Sequence, residues 1–78
     1  MKKEEKYRLM RRLLEISVMD VVRALKKKPN YAHVIYRFER GEEVRYPETI
    51  DSAYDELIKE KIGEDEELSK IVEFIRNM

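Results

Sequence analysis

The chain has no cysteine, no tryptophan and no glutamine, and only one histidine, two glycines and two prolines in 78 residues. Without cysteine there is no disulfide framework, no zinc–thiolate site and no thiol nucleophile. Two isolated glycines cannot build the glycine-rich loop that cradles phosphate before a helix. No apolar run approaches the ~20 residues of a membrane span, and the opening Met-Lys-Lys-Glu-Glu is not followed by the apolar core of a signal peptide. These absences predict an intracellular, cytoplasmic protein with no membrane partner.

The length allows one small domain, and a chain this short buries only about 60% of the surface its unfolded form exposes. Charged residues make up 44% of it and apolar residues 42%. The apolar residues are interspersed, which favours folding over disorder. High Lys and Glu with few amides is the composition found in hyperthermophiles, because ion hydration weakens as temperature rises.

The formal net charge is zero, with 17 basic and 17 acidic side chains, yet the signs are segregated. Residues 1–28 hold ten Lys/Arg against four Asp/Glu, a balance of +6, and residues 47–78 hold four against ten, a balance of −6. Between them the charges cancel. Asymmetry of this kind points to an interaction surface, or to basic and acidic helices that face each other in the fold or in a homodimer.

Residues 3–28 repeat apolar side chains at helical spacing (Leu9, Met10, Leu13 and Leu14, then Val18, Val21, Val22 and Leu25). They read as one helix, or as two divided at Ser17, where Ser17 and Asp20 fit a capping box. Three lysines and Pro29 end the segment. Residues 31–46 match two templates. As strands, Val34, Tyr36 and Phe38 alternate with Ile35, Arg37 and Glu39, and Glu39-Arg40-Gly41 forms a hairpin loop. As a helix, Tyr31, Val34, Ile35 and Phe38 share a face and Gly41 is the terminating residue. The β-branched and aromatic content favours the hairpin. Beyond Pro47, Thr49 or Asp51 caps a helix that closes at Gly63, and four consecutive acids open the last helix, completing an αα-hairpin.

The expected fold is therefore α+β: an N-terminal helix, whole or broken near Ser17, a β-hairpin and a C-terminal αα-hairpin. The alternative is all-α with a helix-turn-helix-like middle. The expected core is Leu9, Leu13, Val18, Val21, Val22, Leu25, Val34, Tyr36, Phe38, Val44, Ala53, Tyr54, Leu57, Ile58, Leu68, Ile71, Val72 and Ile75.

Catalysis finds little support. His33 has no obvious partner, and the hydroxyls of Ser17, Thr49, Ser52 and Ser69 sit where caps or exposed helix positions account for them. One histidine and a run of acids at a helix start make no transition-metal site. The expectation is a non-catalytic protein without cofactor, metal or small-molecule substrate. Its expected function is protein interaction or assembly, with a second copy of itself as a natural partner. The alternative is binding of DNA or RNA by the basic N-terminal helix. The candidate contacts for either are Lys6, Arg8, Arg11, Arg12, Arg23, Lys26, Lys27, Lys28, Arg37 and Arg40, because phosphate neutralisation needs clustered cations. On the helical reading, residues 18–28 and 31–40 resemble a helix-turn-helix, with His33, Tyr36, Arg37 and Arg40 outward. The resemblance covers about a third of the chain. It departs from the motif at the turn, where Lys27-Lys28-Pro29 replaces the usual small residue. A ribbon-helix-helix arrangement is disfavoured, since Glu64-Asp65-Glu66-Glu67 would repel phosphate at the helix start that family uses.

Overall fold

Ser17 divides the N-terminal third. Its hydroxyl accepts from the Asp20 N–H at 3.0 Å, and the Asp20 carboxylate accepts from the Ser17 N–H at 2.9 Å. This reciprocal capping box starts a new helix. In the computed structural model, which describes all 78 residues, the segment is α1 (Lys3–Leu13) followed by α2 (Val18–Ala24).

Both helices end in the same way. The Ile16 N–H reaches back to the Arg11 carbonyl at 2.9 Å and the Glu15 N–H to Arg12 at 3.2 Å; Lys27 and Lys26 repeat the pattern onto Val22 and Arg23. These are Schellman motifs, which need a left-handed residue just past the helix. Glu15 and Lys26 occupy that position, each at φ 57°. A β-carbon there is unfavourable, and glycine is the usual occupant.

Residues 31–46 contain no strand, so the β-hairpin and the α+β fold class are overturned. A 3₁₀ turn (Pro29–Tyr31) leads into α3 (Ala32–Glu39), and the fold is the all-α alternative. Gly41, at φ 78°, terminates α3 through a third Schellman motif: the Glu42 N–H bonds to Arg37 and the Gly41 N–H to Phe38. The glycine that could have closed a hairpin loop closes a helix. The decisive difference is burial. As a helix this stretch buries Ile35, Phe38 and Glu39 together, whereas a lone two-stranded ribbon is marginal in water.

The C-terminal part is the expected pair of helices, α4 (Pro47–Ile62) and α5 (Glu66–Arg76), with Gly63 between them at φ 50°. α4 begins two residues before Thr49, with Pro47 in its first turn and no side-chain cap. Proline suits that position because its missing N–H would be unpaired anyway. Asp65 caps α5 by accepting from the Leu68 N–H at 3.1 Å.

The core joins all five helices. Val18, Val21, Val22, Phe38, Ala53, Tyr54, Ile58, Val72 and Ile75 are buried as expected, while Leu13, Tyr36 and Ile71 are exposed. Leu9, Leu25, Val34, Val44, Leu57 and Leu68 pack at the margin. Tyr7, Met10, Leu14, Ile16, Ile35 and Ile50 are buried instead. α1 is turned relative to expectation, so Tyr7, Met10, Arg11 and Leu14 face inward in place of Leu9 and Leu13. The rings of Tyr7 and Phe38 lie 5.0 and 5.6 Å from that of Tyr54.

Beside this aromatic cluster is a buried ionic network. Arg11 donates from Nε and Nη2 to the two carboxylate oxygens of Glu39, at 2.6 and 3.0 Å, and from Nη1 to the Ile16 carbonyl at 3.1 Å. The Tyr54 hydroxyl donates to the same carboxylate. Burial, and then the bond to Glu39, pushes the Tyr54 phenol well above its ordinary pKa, so it remains a donor.

Two predictions follow from these local structures. Glu15→Gly removes the strained β-carbon and should raise stability by about 0.5–1 kcal/mol in urea unfolding, after the glycine's greater unfolded-state entropy is deducted; a loss of stability would mean that the Glu15 side chain itself stabilises the turn. Glu39→Leu strands the buried Arg11 cation and should cost about 3–5 kcal/mol. The triple change Arg11→Met, Glu39→Leu, Tyr54→Phe should recover most of that loss. Additive costs would show that the three groups act independently.

Candidate nucleic-acid interface

The structure scatters the ten basic candidates into four environments. Arg11 is buried against Glu39 and cannot reach a partner. Lys6 is half-buried and donates to the Arg76 carbonyl at 3.0 Å, at the end of α5. Arg23 pairs with Asp20 at 2.6 Å, and Arg37 and Arg40 pair with Glu42 at 3.5 and 2.5 Å. Arg8, Arg12, Lys26, Lys27 and Lys28 make no ion pair.

The three lysines are all exposed on the link that joins α2 to α3. Lys26 is held in its left-handed conformation by the Schellman motif, and the Tyr31 N–H then bonds to the Lys28 carbonyl at 2.9 Å to start the 3₁₀ turn. The backbone that carries the cations is thus hydrogen-bonded at both ends. α3 turns Ile35, Phe38 and Glu39 inward, which leaves His33, Tyr36, Arg37 and Arg40 outward and exposed. The turn and the helix meet at one groove, where Lys27 and Arg37 stand with Arg45 and the acid Glu43.

Alongside α3 lies a groove of about 550 Å³. The turn supplies Lys27 and Tyr31, and the segment before α4 supplies Glu43, Arg45 and Tyr46. α3 itself adds Val34 and Arg37. The Lys27 ammonium sits 5.4 Å from the centre of the Tyr31 ring, and the Arg45 guanidinium 5.6 Å from that of Tyr46. Arg37 donates to the Glu43 carbonyl at 3.0 Å, which ties the segment to the helix. Tyr31, Arg45 and Tyr46 are the residues that sequence reasoning missed at this surface. Their signal was present as cation–aromatic spacing: Lys27 and Tyr31 at i,i+4, and Arg45 beside Tyr46.

Elsewhere the surface offers less organised chemistry. The largest groove, about 610 Å³, carries Asp20, Arg23, Glu56, Glu60 and Lys61 along its walls, charges of both signs without convergence. His33 is exposed, and its Nδ1 contacts the Asn30 carbonyl. The Ser17 hydroxyl caps α2, and that of Ser52 donates to the Glu48 carbonyl. No group of three or more acidic or histidine side chains is placed to hold a metal ion, and no helix is long and apolar enough to cross a membrane. On α5, Ile71 and Phe74 are 45% and 71% exposed, an apolar edge without a partner in the fold.

No protein-family model, curated protein or solved structure matches this chain.

Proposed function

We propose that the protein binds nucleic acid through the face formed by the lysine turn and α3. The observation that carries this reading is the exposed, unpaired triplet Lys26, Lys27 and Lys28, held on a hydrogen-bonded turn beside the outward face of α3. Phosphate contacts of this kind supply affinity that is largely independent of sequence. The arginines of α3 add to it. Their pairs with Glu42 are exposed, and exposed ion pairs contribute about 0–1 kcal/mol, so exchange for a phosphate is inexpensive.

The arrangement differs from a helix-turn-helix in its link. Residues 25–31 separate α2 from α3, where that motif uses a turn of about 3–4 residues. α3 has eight residues, about 12 Å of helix. A short helix on a long turn suits backbone contacts better than extensive reading of base edges.

A second reading rests on α5. The hairpin edge that could have paired two copies does not exist, but Ile71 and Phe74 offer another surface. α5 has Glu66 and Glu67 in its first turn and Arg76 in its last, so an antiparallel second copy brings opposite charges to the two ends. The apolar edge is small beside the ~1,200 Å² or more that stable pairs bury, and the association expected from it is weak.

Two experiments test these readings. Binding to mixed-sequence oligonucleotides over a range of salt should give a steep log–log dependence, and changing all three lysines to Gln should reduce its slope by about 2–3. An unchanged slope, or no binding at low salt, would overturn the nucleic-acid reading. Sedimentation equilibrium should show concentration-dependent self-association that Phe74→Ser abolishes; a monomer at all concentrations removes the second reading.

A further inference from the structure

We propose that the groove beside α3 is a single-strand subsite, in which one unpaired base stacks on Tyr46 or Tyr31 while its flanking phosphates lie on Lys27 and Arg37. The inference rests on the nucleic-acid reading above and specifies the form of the polymer.

Four features of the groove carry it. It is lined by two aromatic rings, three cations and a single acid, Glu43. Tyr46 is 56% exposed, so much of its ring is open to a ligand. Each ring already holds a cation within about 6 Å, at 5.4 Å for Tyr31 and 5.6 Å for Tyr46. A base laid on the open side of Tyr46 therefore extends an existing guanidinium–ring pair instead of creating a contact from nothing. Lastly, the groove measures about 550 Å³, within the range of sites that enclose a small ligand. It has room for a base that has left its stack.

The chemistry favours a single strand for a simple reason. In a duplex the base faces are covered by their neighbours, so a duplex can offer this groove only its phosphates. A single strand offers both phosphate and an uncovered π-face. Positively charged grooves with aromatic platforms bind single strands with little sequence preference, because every base has such a face. Val34 and Val44, which also line the groove, give the edge of the base an apolar surface. Glu43 does not defeat the arrangement, since the three cations of the groove outnumber its carboxylate.

The test uses the full chain and five probes of equal length: oligo(dT), oligo(dU), oligo(U), a mixed duplex, and an abasic deoxyribose-phosphate strand. Oligo(dT) and oligo(U) should bind more tightly than the duplex, and the abasic strand should lose that advantage. Tyr46→Leu, at an exposed position where the fold has little at stake, should weaken oligo binding by about tenfold and leave duplex and abasic binding unchanged. Because the chain has no tryptophan, quenching of tyrosine emission by oligo(dT) reports stacking directly, and it should diminish in Tyr46→Leu and Tyr31→Leu. Equal affinity for duplex and single strand, with no effect of the tyrosine changes, overturns the inference while leaving the lysine-dependent reading intact. Failure of every probe to bind at low salt overturns both. A preference for oligo(U) over oligo(dU), which differ only in the 2′-hydroxyl, would assign the site to RNA, and the reverse to DNA.

Discussion

The carboxylate of Glu39 is the constraint on which the rest of the molecule depends. It lies inside the protein, where an unmatched charge costs several kcal/mol, and it is matched from two directions. Arg11 on α1 approaches with a two-pronged guanidinium, and Tyr54 on α4 brings its hydroxyl. Three helices are thereby fixed against one side chain. The remaining nitrogen of Arg11 binds the Ile16 carbonyl, which adds the α1–α2 junction to the same network. Because Glu39 is the last residue of α3, its placement also sets the rotation of that helix. With Glu39, Ile35 and Phe38 inward, His33, Tyr36, Arg37 and Arg40 have only the outer face left. The exposed basic surface is thus the complement of the buried face of α3 that Glu39 shares with Ile35 and Phe38.

Legibility from the sequence followed the kind of force involved. α4, α5 and the capped start of α2 were readable, because local signals act there: Gly63, Ser17 with Asp20, and apolar side chains at helical spacing. The middle was not, because its two readings differ in a quantity the local sequence does not contain. Val34, Ile35, Tyr36 and Phe38 satisfy both periods. Intrinsic preference leaned towards strand, and the burial available against α1, α2 and α4 prevailed. The rotation of α1 was misread for a related reason. Arg11 looked like one more member of a basic cluster, and nothing within α1 says that a glutamate 28 positions later will meet it. Buried ion pairs between distant segments are invisible to window-based reading. Of the candidate interface, the lysine turn was legible and the outward face of α3 was given only by the helical alternative, whereas the groove required knowing that Tyr31 and Tyr46 converge.

The segregation of charge along the chain is translated into space only in part. Lys3 reaches Asp51 at 2.5 Å and Arg76 reaches Asp55 at 3.4 Å, so α1 and α5 are each bridged to the acidic α4. Lys3 has its pKa raised by that hydrogen bond. These contacts neutralise α4 where it meets its neighbours. No such contact reaches the link between α2 and α3, which carries three cations in succession. What remains is a molecule of zero net charge with a local positive field at one turn. Such a field acts within about a Debye length, roughly 8–10 Å at moderate salt, which is sufficient to attract a phosphate chain and too short to be cancelled by acids on the far side.

That field and the arginines of α3 differ in readiness. Glu42 is held below the ordinary carboxylate pKa by its hydrogen bond to Arg40, with Arg37 adding to the effect. It is therefore ionised at neutral pH and competes with any phosphate for both guanidinium groups. The lysines face no such competitor. On the nucleic-acid reading proposed above, a polyanion would meet the lysine turn at no cost in broken ion pairs, and would engage Arg37 and Arg40 only by displacing Glu42 in an exposed site where the exchange is nearly neutral. Arg37 has a further tie, to the Glu43 carbonyl, and that tie positions the segment bearing Tyr46. Displacing Glu42 leaves this second bond available, so Arg37 can turn one edge to a phosphate while the other keeps the wall of the groove in place. The hydrogen-bonding capacity of a single guanidinium, five N–H donors in a fixed plane, is what allows Arg37 both roles; a lysine at the same position would have to choose between them.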